Sequence, residues 1–299
     1  MKTLLYISTV ACVVFGLYSC DKDDDGHIAN QQVKNALKTR YPSADHISWE
    51  MKNGYIVADF KAPAPQNPSG KDVEYSAWFD RNGTWYMTET DIPFALLPDA
   101  IKATFQQSEY ARWIIDDVDM IEREKLETVY VIEVENQNQE IDLYYSADGV
   151  LIKSIADTDD ENSHLPTTQL SAAMKTFIEE KYAGARIVEV DVENDKSDWD
   201  YGFTEVDIIH FDSDINRNTS KEVLFDKNGE WYSTSWDVRK NELPVAVTTT
   251  ISNQYAGYQI DDAEYFEMAA GTAYYLIELE GNNTPDINIK IAADGTILK

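Results

Sequence analysis

Hydrophobic and polar positions alternate along this chain with two periods. Apolar residues three and four apart mark amphipathic helices, and alternating apolar positions in short runs mark strands. Val33, Ala36, Leu37 and Tyr41 share one helical face, and Pro42 closes that helix. Strands are expected near His46 to Met51, Tyr55 to Lys61, Val73 to Phe79 and Thr84 to Thr90. A second group opens at Leu97-Pro98 with Ile101, Ala103, Phe105 and Tyr110 in looser helical spacing. Its strands lie near Trp113 to Glu122, Thr128 to Glu135, Glu140 to Tyr145 and Val150 to Ile155. A third opens at Leu165-Pro166, with a helix through Leu170, Met174, Phe177, Ile178 and Tyr182. Strands follow near Ile187 to Val192, Tyr201 to Phe211, Glu222 to Phe225 and Glu230 to Trp236. The fourth runs from Leu243-Pro244 through Tyr255 to the C-terminus, with Ala273 to Glu280 as its clearest strand. Each group reads αββββ.

An internal repeat supports this division. Phe79-Asp80-Arg81-Asn82-Gly83-Thr84-Trp85-Tyr86 returns as Phe225-Asp226-Lys227-Asn228-Gly229-Glu230-Trp231-Tyr232, and Asp148-Gly149 and Asp294-Gly295 hold the same place in weaker copies. Gly83 to Gly229 and Gly149 to Gly295 both span 146 residues, so a two-part unit is written twice. Asn-Gly between strands predicts a two-residue type I′ hairpin with both residues at positive φ. Pro63 to Gly70 and Asp212 to Thr219 read as long exposed connections in equivalent places. The polar stretch 157–164 separates domain 1, residues 28–156, from domain 2, residues 165–299.

The expected fold class is therefore α+β: tandem αββββ units, each a four-stranded antiparallel sheet packed on a helix, two units per domain. A sheet with helices on one face leaves the other to solvent or a partner. Tyr75, Ala77 and Phe79 suit the core and turn Glu74, Ser76 and Trp78 away; Tyr275, Ile277 and Leu279 likewise turn Tyr274, Leu276 and Glu278 away. Trp78, Tyr86, Tyr144, Tyr232, Trp236 and Tyr274 form the candidate binding surface. Outward aromatics beside carboxylates anchor protein interfaces and stack on sugars, and they also serve packing between units of one chain.

The first residues have another purpose. Met1-Lys2 and the apolar run Leu4 to Tyr18, too short to span a bilayer, read as a secretory signal over residues 1–19. Leu17-Tyr18-Ser19-Cys20 resembles a bacterial lipobox, which makes Cys20 the lipidation site. Asp21-Lys22-Asp23-Asp24-Asp25, within an acidic tether over 20–27, looks like a tag for the outer face of the outer membrane; a plain solvated tether facing the periplasm fits equally. Cys12 leaves with the signal and Cys20 carries lipid, so no disulfide is expected and hydrophobic burial must hold the domains.

A formal charge of −29 argues against nucleic acid and anionic lipid surfaces as partners, leaving the lipid anchor as the expected membrane contact. His27, His46, His164 and His210 are scattered, so no metal site and no cofactor is expected. Asp80 to Gly83 lacks the rest of a calcium loop, and Asp212, Asp214 and Asn216 read as a solvated loop. No G-x-S-x-G, Walker or G-x-G-x-x-G sequence occurs, and no carboxylate pair stands out, so no catalytic residue is assigned.

An exported chain of helix-then-four-strand units, with repeated Leu-Pro helix starts, a tyrosine ending each helix (Tyr41, Tyr110, Tyr182, Tyr255) and four glycine turns, resembles the PepSY-like family, also called β-lactamase-inhibitor-like. The resemblance covers residues 28–299. It implies a small antiparallel sheet on helices whose open face binds, and it transfers no catalytic residue. The expected function is a non-catalytic, lipid-anchored envelope module that docks an envelope or extracellular protein or peptide, enzyme inhibition being one form of such docking, with surface glycan binding as the alternative.

Overall fold

A computed structural model describes residues 28–64, 70–137, 139–156, 166, 169–281 and 284–298. The signal, Cys20, the acidic tether and the 157–164 linker lie outside the described residues. Domain 1 runs α1 (Gln31–Arg40), β1 (Asp45–Lys52), β2 (Tyr55–Pro63), β3 (Asp72–Phe79), β4 (Trp85–Asp91), α2 (Asp99–Phe105), β5 (Ile114–Arg123), β6 (Val129–Asn136), β7 (Gln139–Ser146) and β8 (Leu151–Ala156). Domain 2 repeats the order with α3 (Ala172–Lys181), β9 (Arg186–Val192), β10 (Thr204–Asp212), β11 (Arg217–Phe225), β12 (Trp231–Asp237), α4 (Val245–Gln254), β13 (Tyr258–Met268), β14 (Tyr274–Gly281), β15 (Ile287–Ile291) and β16 (Ile297–Leu298).

The expected four-stranded sheets do not stand apart. β4 pairs antiparallel with β5 and β12 with β13, so each domain is one continuous eight-stranded meander, β1 to β8 and β9 to β16. Helices cover one face of each sheet. Val33 and Leu37 pack on Ile56, Phe60, Tyr75, Ala77 and Phe79; Ile101 and Phe105 on Val118, Ile132, Leu143 and Tyr145. Met174 and Ile178 meet Val206, Val223 and Phe225; Val247 and Ile251 meet Ala263, Ile277, Leu279 and Ile291.

Several expected boundaries move. α3 begins at Ala172 under a Ser171 cap, after the Leu165-Pro166 segment, because the Ser171 hydroxyl accepts the Met174 N–H at 3.2 Å. Tyr41, Tyr182 and Tyr255 are C-caps, but Tyr110 lies in a separate 3-10 turn, since α2 is only two turns long. β10 and β11 extend the hairpin to Asp212↔Arg217, shortening the connection expected over Asp212 to Thr219. There Asp212 accepts the Asp214 N–H and faces Lys221 Nζ at 3.6 Å, so its carboxylate is already engaged.

The repeated turns are not type I′. Gly83, Gly149, Gly229 and Gly295 have φ between 81° and 86°, whereas Asn82 and Asn228 are not among the positive-φ residues. Asp80 explains this: its Oδ1 accepts the Asn82 and Thr84 N–H groups at 2.8 Å, holding Asn82 in a right-handed turn and leaving only glycine left-handed. Asp226 does the same with Asn228 and Glu230. Both φ values are positive instead at Asn53-Gly54, the two-residue turn that closes β1 onto β2 at Lys52↔Tyr55.

Each turn glycine also sits under the preceding helix. A Cβ on Gly149 would stand 2.7 Å from the Ala100 backbone. In units one and three the helix-ending tyrosine reaches a threonine of the fourth strand, which the post-turn tryptophan also meets. Tyr182 O–H and Trp231 Nε1–H both donate to Thr234 Oγ1, at 2.7 and 3.0 Å, and Tyr41 and Trp85 meet Thr88 at 2.7 and 2.8 Å.

Gly149→Ala should lower stability by at least about 2 kcal/mol in urea denaturation, since both a left-handed φ and a backbone clash penalise it. Thr234→Val leaves the Trp231 N–H without its acceptor and the Tyr182 hydroxyl with only Glu267 at 3.3 Å, and should cost about 1–3 kcal/mol, while Thr234→Ser retains most of the stability by the same measurement.

Candidate functional site

The opposite faces of the two sheets differ in what covers them. On the first, Val57, Trp78, Met87, Ile121, Val129, Val131 and Tyr144 form an apolar patch, and Val188 and Ile209 of domain 2 pack onto it. Ions ring this seam. Arg123 Nη2 meets Glu189 Oε1 at 3.1 Å with both side chains almost fully buried, and Lys153 bridges Glu189 and, at 3.8 Å, Asp207. Arg186 pairs with Glu127 and Asp148, Asn218 Nδ2–H donates to Asp148 at 2.7 Å, and the Glu127 N–H donates to the Ile187 carbonyl at 3.3 Å. Buried pairs of this kind set register more than they add stability.

The six candidate surface residues therefore separate. Trp78 and Tyr144 do turn away from the helices, but they are 2% and 1% exposed beneath domain 2 and offer no free surface. Trp236 is corrected to the helix-bearing face. Its ring lies 4.8 Å from Tyr265, which neighbours Tyr275, and Lys221 Nζ sits 3.3 Å above it. The cause is a bulge: Phe225 pairs with Trp231 and Leu224 with Ser233, so Tyr232 is an extra residue and every later side chain changes face. The same bulge places Tyr86 between Trp85 and Met87. Tyr86 lies edge-on to Tyr55 at 5.3 Å and lines a cavity of about 110 Å³ at the domain seam with Leu126, Leu170 and Ile187.

Tyr232 and Tyr274 remain on the open face of the second sheet. Tyr232 is 37% exposed and packs with Trp199 and Phe203 at 5.6 and 5.4 Å. Tyr274 stacks on Phe266 at 5.0 Å, and Lys290 Nζ lies 4.8 Å over its ring. Trp199, 70% exposed on the β9–β10 loop, escaped the strand pattern because it lies in a polar run; that isolation, an aromatic with no apolar period to bury it, was the available signal.

Carboxylates adjoin these rings. Pairing sets Asp191 opposite Glu205, Glu189 opposite Asp207, Asp207 opposite Glu222, and Asp237 opposite Glu264. Glu222 is reached by solvent, yet the surrounding sheet withdraws its carboxyl from bulk water and, with Glu205 and Glu264 beside it, pushes it up to about 7. Burial likewise raises Asp207, with Lys153 opposing. Glu193, Asp198 and Asp200 converge within 4.8 Å on the β9–β10 loop, where the scattered histidines had suggested no metal set. On the first sheet, burial and then Glu89, Asp117, Asp91 and Glu133 push Asp119 up to about 8.

A raised carboxyl holds its proton in the folded state over a range where the unfolded chain has released it. Stability from Asp119 is thus present at low pH and is lost as pH rises from about 4 to about 8. Asp119→Asn should flatten the fall of the urea midpoint across that window.

The family model described as "Putative beta-lactamase-inhibitor-like, PepSY-like" matches residues 70–153, 156–216 and 210–299. Among solved structures, the chain is similar to a BLIP-like protein from Bacteroides fragilis at 36% identity, covering 47% of this chain and 94% of that one, with a TM-score of 0.41. A DUF2874 family protein from Bacteroides ovatus shows 28% identity over 48% and 98%, TM-score 0.42. A protein from Bacteroides eggerthii described as periplasmic shows 24% over 45% and 94%, TM-score 0.40. No curated protein matches the chain. With matched segments covering well over half of its length, the chain belongs to the PepSY-like, β-lactamase-inhibitor-like family.

Proposed function

We propose that this protein is a non-catalytic binding module of the cell envelope, held by lipid at Cys20, that docks a protein or peptide on the open face of its second sheet. The observation that supports this is the contrast between the two faces. The helix-free face of the first sheet is occupied by domain 2, which uses the Ile209 part of its own helix-free face for this, while the rest of that second face keeps Trp199, Phe203 and Tyr232 in an exposed cluster next to the Phe266–Tyr274 stack. Exposed aromatic groups of this size are the usual anchors of interfaces. The inhibitor-like family supports the absence of catalysis, and inhibition of an envelope enzyme is one form the docking would take.

Surface glycan binding is the second reading, favoured by the exposure of Trp199 and Tyr232, whose faces suit sugar rings. Affinity that ignores salt would mark it, whereas docking of a charged protein weakens with salt.

The test is capture from envelope extract with the Cys20→Ala chain. Trp199→Ala with Tyr232→Ala should lose the bound protein by about tenfold or more, and Val245→Ala, exposed on α4, should not. Unchanged capture by the double variant, with glycan-array binding lost instead, would move the assignment to the second reading.

A further inference from the structure

We propose that the occupant of this open face is a cationic protein segment, a strand or loop bearing lysine or arginine whose charged ends lie along Glu205, Glu222 and Glu264 and whose aliphatic stems cross Trp199, Phe203 and Tyr232. The inference rests on the binding-module reading and names the chemistry of its partner.

The pairing of cations inside the protein leaves this set unmatched. Arg123 and Lys153 are drawn to Glu189 and Asp207 at the domain seam. Among the described residues, no lysine or arginine forms an ion pair with Glu205, Glu222 or Glu264; Lys153 acts on Glu205 and Glu222 only through the field. Asp207, the cross-strand neighbour of Glu222, is 8% exposed at the domain seam, where Lys153 Nζ lies 3.8 Å away and burial holds its carboxyl well above the usual range, so it adds little charge to the face. Glu222 is reached by solvent instead, and beyond the seam the face presents carboxylates that no cation of the described residues pairs.

The rings are unmatched in the same sense. Elsewhere the fold pairs aromatics with its own cations: Arg40 lies 3.4 Å over Trp85, Lys181 4.4 Å over Trp231 and Lys221 3.3 Å over Trp236. Trp199, Phe203 and Tyr232 have no such cation among the described residues, and Trp199 is the most exposed of the large aromatics. Carboxylates next to bare ring faces are complementary to a long side chain with an apolar stem and a cationic tip.

Other ligands fit less well. A single divalent ion needs several oxygens at about 2.3–2.6 Å. Among the described residues the carboxylates that converge within 4.8 Å are Glu193, Asp198 and Asp200, so Glu205, Glu222 and Glu264 are spread too widely for one ion. A neutral sugar would use the rings and leave the carboxylates crowded. A cationic strand, with alternate side chains about 7 Å apart, meets several of them at once.

The test uses the Cys20→Ala chain and a short synthetic peptide alternating lysine and threonine, with a glutamate–threonine peptide as counterpart, read by calorimetry and by Trp199-dependent fluorescence. The lysine peptide should bind and the glutamate peptide should not. Glu205→Gln with Glu222→Gln should weaken the lysine peptide by about tenfold, and raising salt should do likewise. Glu179→Gln with Glu180→Gln, exposed on α3 and equal in charge change, should have little effect. Equal weakening by both pairs would mean that only the overall negative charge attracts the peptide, and would overturn the inference; so would failure of the lysine peptide to bind at low salt. The envelope partner separates the two readings. Capture that still needs Trp199 and Tyr232 but ignores Glu205→Gln with Glu222→Gln removes the cationic segment and leaves the binding module standing. Circular dichroism should confirm that the glutamine variants keep the fold, as isosteric removal of crowded charges predicts.

Discussion

The apolar patch of Trp78, Met87, Ile121, Val131 and Tyr144 on the helix-free face of the first sheet must be removed from water, and most of the remaining architecture follows from how that is done. A sheet covered by helices on one side only has this problem by construction. Here domain 2 solves it, laying Val188 and Ile209 against the patch and closing the margin with Arg123, Lys153 and Arg186. The first domain therefore uses its helix-free face internally, and the second domain gives the part of its own around Ile209 and Asp207 to the same seam, with Tyr232, Phe266 and Tyr274 on the part beyond it.

One inserted residue controls which side chains reach either face. The bulges at Tyr86, Ile152 and Tyr232 follow the glycine turn in three of the four units. In units one and three they let the tryptophan after the turn point to the helix and then shift the alternation by one, so that in unit three Thr234 and Trp236, and not Ser233 and Ser235, share the face of Trp231. That arrangement brings Trp231 and Thr234 to one side with Tyr182, and it sends Trp236 to join them. The turn, the helix cap and the strand are thus one assembly, repeated because each part supplies the hydrogen-bond partner that another lacks.

Charge is distributed against this scaffold with a consequence for both stability and binding. Carboxylates line the free faces in adjacent strand positions, where they raise one another's proton affinity, most clearly at Asp119 and Glu222. Like charges opposite each other weaken a sheet. Their retention beside exposed aromatics is a reason to look for the compensating charge on a partner.

Much was legible in the residues alone. The periods of Val33, Leu37 and Tyr41 and of Tyr75, Ala77 and Phe79, with the four glycine turns, determined the αββββ order, the antiparallel class and the helix-facing side of unbulged strands such as β3 and β14, because these depend on local geometry. They also carried the family resemblance. Whether Trp78 and Tyr144 are a surface or a seam was decided by the tertiary structure, since alternation reports that a side chain leaves the helix face and is silent about what arrives from residues 188 and 209. The face of Trp236 was decided there too, because a bulge depends on pairing with the neighbouring strand, and one unpaired residue reverses a period of two. The gathering of Trp199, Phe203 and Tyr232 joined residues from a loop and two strands, a proximity that only the folded chain creates.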